Sequence, residues 1–237
     1  MNILVTGAGR GIGFASVKEF ASRGNHSIIA LSRDKSRLDE LAAYCNSSYP
    51  YSKVVPYCMD LEKDHAEFPI LYNYLKKSFT HLDILLNNAG CLINKPFEAM
   101  KVEDETKMWA VNYLAPSTLI RHLIPIMGTS VKGHIINISS MGGVQGSAKF
   151  RGLSSYSASK SALATLTECL AEEYKTSNLA FNCIALGAVQ TEMLREAFPL
   201  YNAKMTASDF AKYLVDFCLS GMNYCNGQIL PFSLSQP

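Results

Sequence analysis

Short apolar runs alternate with longer stretches of helical periodicity along the whole chain. The runs Ile3–Thr6, Ser27–Leu31, Lys53–Cys58, Leu82–Asn87, His134–Ser139, Ala180–Ala185 and Gln228–Leu230 predict strands. Between them, amphipathic segments predict helices over Phe14–Ser22, Ser36–Cys45, Phe68–Phe79, Thr106–Met127, Ser155–Lys175 and Ala207–Leu219. In the helix from Ser155, the positions Ala158, Ala162, Leu163, Leu166 and Leu170 recur at helical spacing and mark one buried face. Strand and helix in alternation are the signature of βαβ units around a parallel sheet, and seven strands in one sheet is the simplest architecture. The stretch from Gly187 to Thr206, with Pro199 near its end, shows neither pattern. Long irregular loops in compact domains are usually functional, so this one is expected to be a lid.

Length and composition narrow the picture. The chain has 237 residues, which suits one α/β domain over residues 1–237 that buries roughly 70–75% of its unfolded surface. No repeat, low-complexity tract or Pro/Gly-rich linker divides it. A formal charge of +2 provides no basic stripe for nucleic acid. No apolar run approaches the ~18 residues of a membrane span and no signal-like segment opens the chain, so a soluble, cytoplasmic protein is expected. The seven cysteines, Cys45, Cys58, Cys91, Cys169, Cys183, Cys218 and Cys225, lack C-x-x-C spacing and read as reduced core thiols, with no metal site. His26, His65, His81, His122 and His134 form no cluster in sequence and read as surface or structural residues.

The first candidate for chemistry is TGAGRGIG, Thr6 to Gly13, between the first strand and the first helix. The dinucleotide fingerprint G-x-G-x-x-G fails here, because Ile12 stands where its third glycine belongs. Gly7, Gly11 and Gly13 instead fit G-x-x-x-G-x-G. Glycines at such a junction let the backbone approach a pyrophosphate, while free N–H groups at the helix start face the anion. At the end of the second strand, an acidic residue would accept hydrogen bonds from a ribose 2′-OH. Ser32 occupies that place, Arg33 follows, and Asp34 is placed to cap the next helix. A guanidinium grips phosphate bidentately, and Arg10 adds a second positive charge, so NADP(H) is favoured over NAD(H). Solvated surface arginines are the competing reading.

Further on come LLNNAG (Leu85–Gly90), AVNYLA (Ala110–Ala115), NISS (Asn137–Ser140) and YSASK (Tyr156–Lys160). With the glycine loop, these motifs resemble the short-chain dehydrogenase/reductase family in type and order across nearly the whole chain. Tyr156 and Lys160 stand at i and i+4 and share a helix face. A neighbouring ammonium favours a phenolate, and moving a phenol from pKa ~10 to near 7 needs about 4 kcal/mol of differential stabilisation. Tyr156 would then exchange a proton with a carbonyl oxygen while hydride moves at its carbon. A second hydroxyl orienting that oxygen is assigned to Ser140, with Ser139 as rival; the second serine of such a pair is the family's usual choice.

The resemblance implies a Rossmann-like doubly wound parallel sheet of about seven strands with helices on both faces. It also implies that Lys160 holds the nicotinamide ribose and that Asn112 carries a water linking the lysine to solvent. The implied cofactor contacts are Gly7, Gly9, Arg10, Gly11, Ile12 and Gly13, then Ser32 and Arg33, Asp60 and Leu61, and Asn88, Ala89 and Gly90. Tyr156, Lys160, Gly187, Val189 and Thr191 complete the set, with Asp60 at the adenine and Thr191 at the carboxamide. Asn112 satisfying backbone groups beside Pro116, and Asp60 capping a helix, are the structural rivals. The chain departs from the family in a longer Ser140–Tyr156 separation and in Leu186 where Pro often precedes Gly187, which is expected to loosen the entry to the lid. Met141, Val144, Met193, Leu194 and Phe198 are expected to form an apolar pocket wall for a carbonyl or alcohol flanked by hydrophobic groups. The expected enzyme is an NADP(H)-dependent carbonyl/alcohol oxidoreductase, with a catalytically inactive NADP(H) sensor as the alternative. The family resemblance further implies a homodimer or homotetramer built on the helices Thr106–Met127 and Ser155–Lys175.

Overall fold

A computed structural model describes residues 1–64 and 67–234, so His65 lies outside the described residues. Seven strands form one sheet: β1 (Asn2–Thr6), β2 (Ser27–Ser32), β3 (Lys53–Cys58), β4 (Ile84–Asn87), β5 (Gly133–Ser140), β6 (Leu179–Leu186) and β7 (Ile229–Phe232). Every pairing is parallel and the order is β3-β2-β1-β4-β5-β6-β7. The helices are α1 (Gly11–Ser22), α2 (Lys35–Ser48), α3 (Phe68–Ser78), α4 (Val102–Trp109), α5 (Ala115–Leu123), α6 (Ser154–Glu173), α7 (Glu192–Ala197) and α8 (Ala207–Ser220).

The strands alternate their side chains between two buried layers. Ile3, Val5, Ile28 and Ala30 pack with Phe20, Leu41 and Phe210 of α1, α2 and α8 on one face. Leu4, Ile29 and Leu31 pack with Leu71, Leu119 and Leu123 of α3 and α5 on the other. This period-two split gives the doubly wound architecture expected, with both faces covered as a parallel sheet requires. Pro56 and Pro231 sit in the border strands β3 and β7, where a missing N–H is tolerated.

Three elements differ from expectation. The strand expected from Leu82 starts at Ile84, since Leu82 only bridges Met127, and the last strand is shifted to Ile229–Phe232. The irregular lid contains the short helix α7, begun by Thr191, whose hydroxyl accepts from Leu194 N–H at 3.2 Å. The helix expected over Thr106–Met127 is broken into α4, a π-turn over Ala110–Leu114, and α5. Pro116 explains the break: it has no N–H for the Asn112 carbonyl, and its ring crowds that carbonyl. The backbone opens by one residue, so that Ala115 N–H reaches Ala110 O.

Under the site, a buried amide ladder ties sheet to helix. Asn87 Nδ2 donates to Asn137 Oδ1 at 2.9 Å, and Asn137 Nδ2 donates to Thr167 Oγ1 at 2.9 Å. The ladder joins β4, β5 and α6 at the level that carries the candidate residues. His134, fully buried in β5, has Nδ1 3.0 Å from Cys218 O and Nε2 3.0 Å from Asn182 Nδ2. Burial lowers its pKa to about 4. The unfolded imidazole takes a proton near pH 6.5 and the folded one does not, so the stability present above that pH is lost as pH falls toward 4. This group alone is expected to make the protein about 2 kcal/mol less stable at pH 5 than at pH 7. Urea unfolding at the two pH values, with His134→Gln as a variant from which this increment is absent, measures it.

Candidate active site

The sheet order reverses between β1 and β4, and the crevice above this switch point is where open α/β sheets place ligands. A cleft of about 620 Å³ opens there. Its first wall is the glycine loop, and the loop's spacing follows from local packing. Gly7 and Gly11 take positive φ, 68° and 57°. A Cβ on Gly13 would lie 2.3 Å from Gly7 O and 2.5 Å from Asn88 Nδ2, so the third residue of α1 must lack one. Ile12, between them, packs toward the core and also lines the cleft.

Thr6 and Asn88 lock this loop to the end of β4. Thr6 Oγ1 accepts from the N–H groups of Asn88 and Ala89, both at 3.1 Å. Asn88 Nδ2 returns a hydrogen bond to Thr6 O at 3.0 Å. Asn88 therefore shapes the cradle, with its amide engaged by the protein itself. Gly7, Gly9, Arg10, Gly11, Ile12, Asn88, Ala89 and Gly90 all line the cleft. A strand-to-helix loop held in this form, with Gly9 and Gly11 lining the cleft and carrying no side chains of their own, fits a nucleotide pyrophosphate.

Ser32, Arg33, Asp60 and Leu61 line the outer end of the cleft. A Cβ on Gly9 would meet Ser32 Oγ at 2.7 Å, so the small residue at the end of β2 and the glycine fit each other. Asp34 caps α2 as expected, accepting from Arg37 N–H at 3.1 Å. The Asp60 carboxylate accepts from Glu62 N–H at 3.0 Å and so also stabilises its own turn. Arg37 lines this end too. Sequence reasoning missed it; its signal was the spacing i, i+4 from Arg33 at the start of a capped helix.

At the inner end, α6 places Tyr156 and Lys160 against the end of β5. Ser139 turns inward and donates to Lys160 O at 2.8 Å. Ser140 faces the cleft, and its Oγ accepts from Gly142 N–H at 3.2 Å. Ser139 lines the cleft as well, but its hydroxyl is engaged with the Lys160 carbonyl, as the alternation of side chains along a strand leads the two serines to different neighbours. Tyr156 is 9% and Lys160 3% exposed. Lys160 Nζ donates to Ile138 O at 2.8 Å. Gly90 leaves room for it, since a Cβ there would lie 3.5 Å from Nζ.

Burial dominates the electrostatics of this pair in the protein alone. Burial pushes the Tyr156 phenol up to about 12, and the nearby Ser140 hydroxyl pulls it only partly back. Burial also brings the Lys160 ammonium down to about 8. In the protein's own field desolvation thus outweighs the lowering of the phenol expected from its lysine neighbour, and the ammonium is directed to a carbonyl. Asn112, fully buried in the π-turn, accepts from Cys91 N–H at 2.8 Å. Its Nδ2 donates to Cys91 O at 2.8 Å and to Ser159 Oγ at 3.0 Å. Its side chain clamps the segment after β4 onto α6.

The lid closes the remaining side. Gly187, Val189 and Thr191 line the cleft, and Thr191 Cγ2 would lie 3.4 Å from a Cβ on Gly11. The entry to the lid is held without the family's proline: Gly187 N–H donates to Phe232 O at 2.8 Å, and Gln190 N–H to Met205 O at 2.8 Å. Met141, Met193, Leu194 and Phe198 line the cleft, whereas Val144 does not. The Val144 carbonyl turns instead to the Lys149 ammonium and the Ser147 hydroxyl, which fold the longer loop on itself. Leu92, Ile93, Phe150 and Leu153 join the apolar wall, Phe150 meeting Phe198 edge-on at 6.4 Å.

The comparisons follow the same outline. The family profile described as short chain dehydrogenase matches residues 1–201. An NADP-dependent 3-hydroxy acid dehydrogenase of Schizosaccharomyces pombe is 32% identical over 192 residues, covering 80% of this chain and 72% of that protein. A 3alpha-hydroxysteroid dehydrogenase of Mediterraneibacter gnavus is 34% identical over 191 residues, covering 81% and 74%. A short chain dehydrogenase of Escherichia coli CFT073, solved in complex with NADPH, superposes with a TM-score of 0.89 at 27% identity, covering 97% of this chain and 95% of that one. With its glycine loop, its Y-x-x-x-K helix and a profile match over most of its length, this chain belongs to the short-chain dehydrogenase family.

Proposed function

We propose that the protein is an NADP(H)-dependent oxidoreductase that interconverts a carbonyl and a secondary alcohol, with Tyr156 as acid/base. The observation that carries this reading is the convergence of Ser140, Tyr156 and Lys160 at the inner end of a cleft whose outer end is the glycine cradle. Arg10, Arg33 and Arg37 at that outer end favour a 2′-phosphate, and the NADP(H)-bound and NADP-dependent relatives support the same cofactor. Gly7, Gly9 and Gly11 would hold the pyrophosphate, while Gly13, contrary to expectation, does not line the cleft and packs behind them against Gly7 and Asn88. Asp60 and Leu61 would take the adenine side, and Lys160 and Thr191 the nicotinamide side. The cofactor, when bound, supplies or accepts the hydride at the substrate carbon.

In reduction, Tyr156 donates its phenolic proton to the carbonyl oxygen, giving the alcohol and leaving a phenolate. Lys160 stabilises that phenolate and passes it a proton. The Ser140 hydroxyl, whose oxygen already accepts from Gly142 N–H, donates toward the substrate oxygen and orients it. A phenol held at about 12 is protonated throughout the neutral range, as a proton donor must be. Asn112 acts as a positioning residue through Cys91 and Ser159.

The substrate half of the cleft is lined by Leu92, Ile93, Met141, Phe150, Leu153 and Phe198, and the charged lining residues other than Lys160 belong to its cofactor half. This supports a carbonyl compound with apolar flanks. Free cysteines, three of them buried, suit a reducing compartment such as the cytoplasm. Of the α6 face expected to be buried, only Leu163 is; Ala158 is exposed and Ala162 and Leu166 are half-buried beside the partly exposed Trp109, Tyr113 and Leu114, which supports self-association on these helices as a homodimer or homotetramer. Light scattering on the purified protein decides between these assemblies and a monomer.

The direct test is oxidation of NADPH across a diverse carbonyl panel, with NADH as control. Tyr156→Phe is expected to keep NADPH affinity and lose about 10²–10⁴-fold in kcat; tight binding without turnover in the unaltered protein would instead identify the sensor. Reduction is expected to slow as pH rises through about 8, where Lys160 loses its charge. A pH profile of kcat/KM that stays level through pH 9 refutes that role for the lysine.

A further inference from the structure

The lid carries two carboxylates that face the cations of the cofactor end. Arg10 Nη1 lies 3.2 Å from Glu192 Oε2 and 3.1 Å from Glu196 Oε1. Arg37 Nη1 lies 3.3 Å from both oxygens of Glu192, and its Nε is 3.5 Å from Asp34. Glu192 therefore bridges two guanidiniums that come from different elements, Arg10 from the start of α1 and Arg37 from α2. It is also the more sheltered lid carboxylate, 35% exposed against 66% for Glu196. Arg33 forms no ion pair among the described residues.

We propose that Glu192 is a specificity-determining residue for the cofactor: an internal counter-anion, standing in for the 2′-phosphate on Arg10 and Arg37, that a 2′-phosphorylated nucleotide must displace. The inference rests on the NADP(H) reading above. Four cations of the cofactor half, Arg10, Arg33, Arg37 and Lys107, are matched by four carboxylates, Asp34, Asp60, Glu192 and Glu196, so the charged lining is neutral as it stands. A phosphate monoester adds roughly −1.5 to −2 charge, which leaves the lining strongly negative unless a carboxylate withdraws. Asp34 is held by its helix cap and Asp60 by its own turn, so the lid carboxylates are the ones free to leave. Phosphate has the advantage in the exchange because it has more charge and three acceptor oxygens for the guanidinium forks. Solvent-exposed carboxylate pairs are individually weak and yield readily. A nucleotide without the 2′-phosphate has no anion to exchange at this place. Displacing Glu192 also releases α7 from the glycine loop, so cofactor loading and lid seating become linked, each biasing the other by the same factor.

The test is direct titration of NADPH and of NADH by nucleotide fluorescence with three proteins: unaltered, Glu192→Gln and Arg37→Gln. Thermal unfolding without nucleotide first verifies that the variants are folded. Removing the competing charge in Glu192→Gln is expected to tighten NADPH binding about 3- to 10-fold. Removing the cation in Arg37→Gln is expected to weaken it about 10-fold or more. NADH affinity is expected to stay within about twofold of its starting value in both. Weaker or unchanged NADPH binding in Glu192→Gln, or an equal change for NADH, overturns the competition. An unaltered protein that binds NADH as tightly as NADPH removes the cofactor reading itself, a failure distinguishable because it appears before any substitution.

Discussion

The structure depends on the splice between the ends of β1 and β4. Two parallel neighbours part company there, their chains leaving to opposite faces of the sheet, and the gap must be filled by groups that satisfy each other's polar atoms. The Thr6 hydroxyl and the Asn88 amide do this, one taking two N–H groups and the other donating to the loop carbonyls. The glycine loop is the surface of that splice, and Gly13 is excluded from carrying a side chain by the same atoms that close it. From Asn88 the chain runs directly to Gly90 and Cys91, which adjoin Lys160 and Asn112, so the nucleotide cradle and the chemical end of the cleft share one segment of four residues.

The chemical end is held from behind with equal economy. Pro116 opens the helix by one residue at Asn112, and the opened turn presents that amide to the post-β4 segment and to Ser159. Ser159 lies between Tyr156 and Lys160 in α6, and the inward Ser139 holds the backbone of Lys160 from the sheet side. The positions of phenol and ammonium are therefore set by neighbours whose own polar atoms are engaged by the protein. Burial, the same agency that fixes their geometry, moves both away from their ordinary protonation behaviour, and in opposite directions.

Much of this was legible before any coordinates. The strand and helix alternation identified the sheet, because a parallel sheet covered on both faces demands those two periodicities in turn. The glycine spacing and the i, i+4 pair were legible because they are local: each rests on a backbone or side-chain constraint within one turn. What escaped depends on contacts distant in sequence. Pro116 was visible, but that its effect would be a π-turn opening onto Cys91 follows from a partner 21 residues away. Arg37 became a site residue only when α2 swung it beside the lid, and α7 has too few residues for periodicity to register. For Tyr156, sequence shows the charged neighbour and conceals the depth of burial that acts on the phenol. The different neighbours of Ser139 and Ser140 became visible only once the strand's facing was known.

The prolines at the two borders of the sheet bear on how copies of the chain meet. A border strand offers a row of unpaired amides, and each missing N–H interrupts the register that a docking strand would need. With Pro56 on one side and Pro231 on the other, sheet-to-sheet growth in a crowded solution is discouraged at both ends.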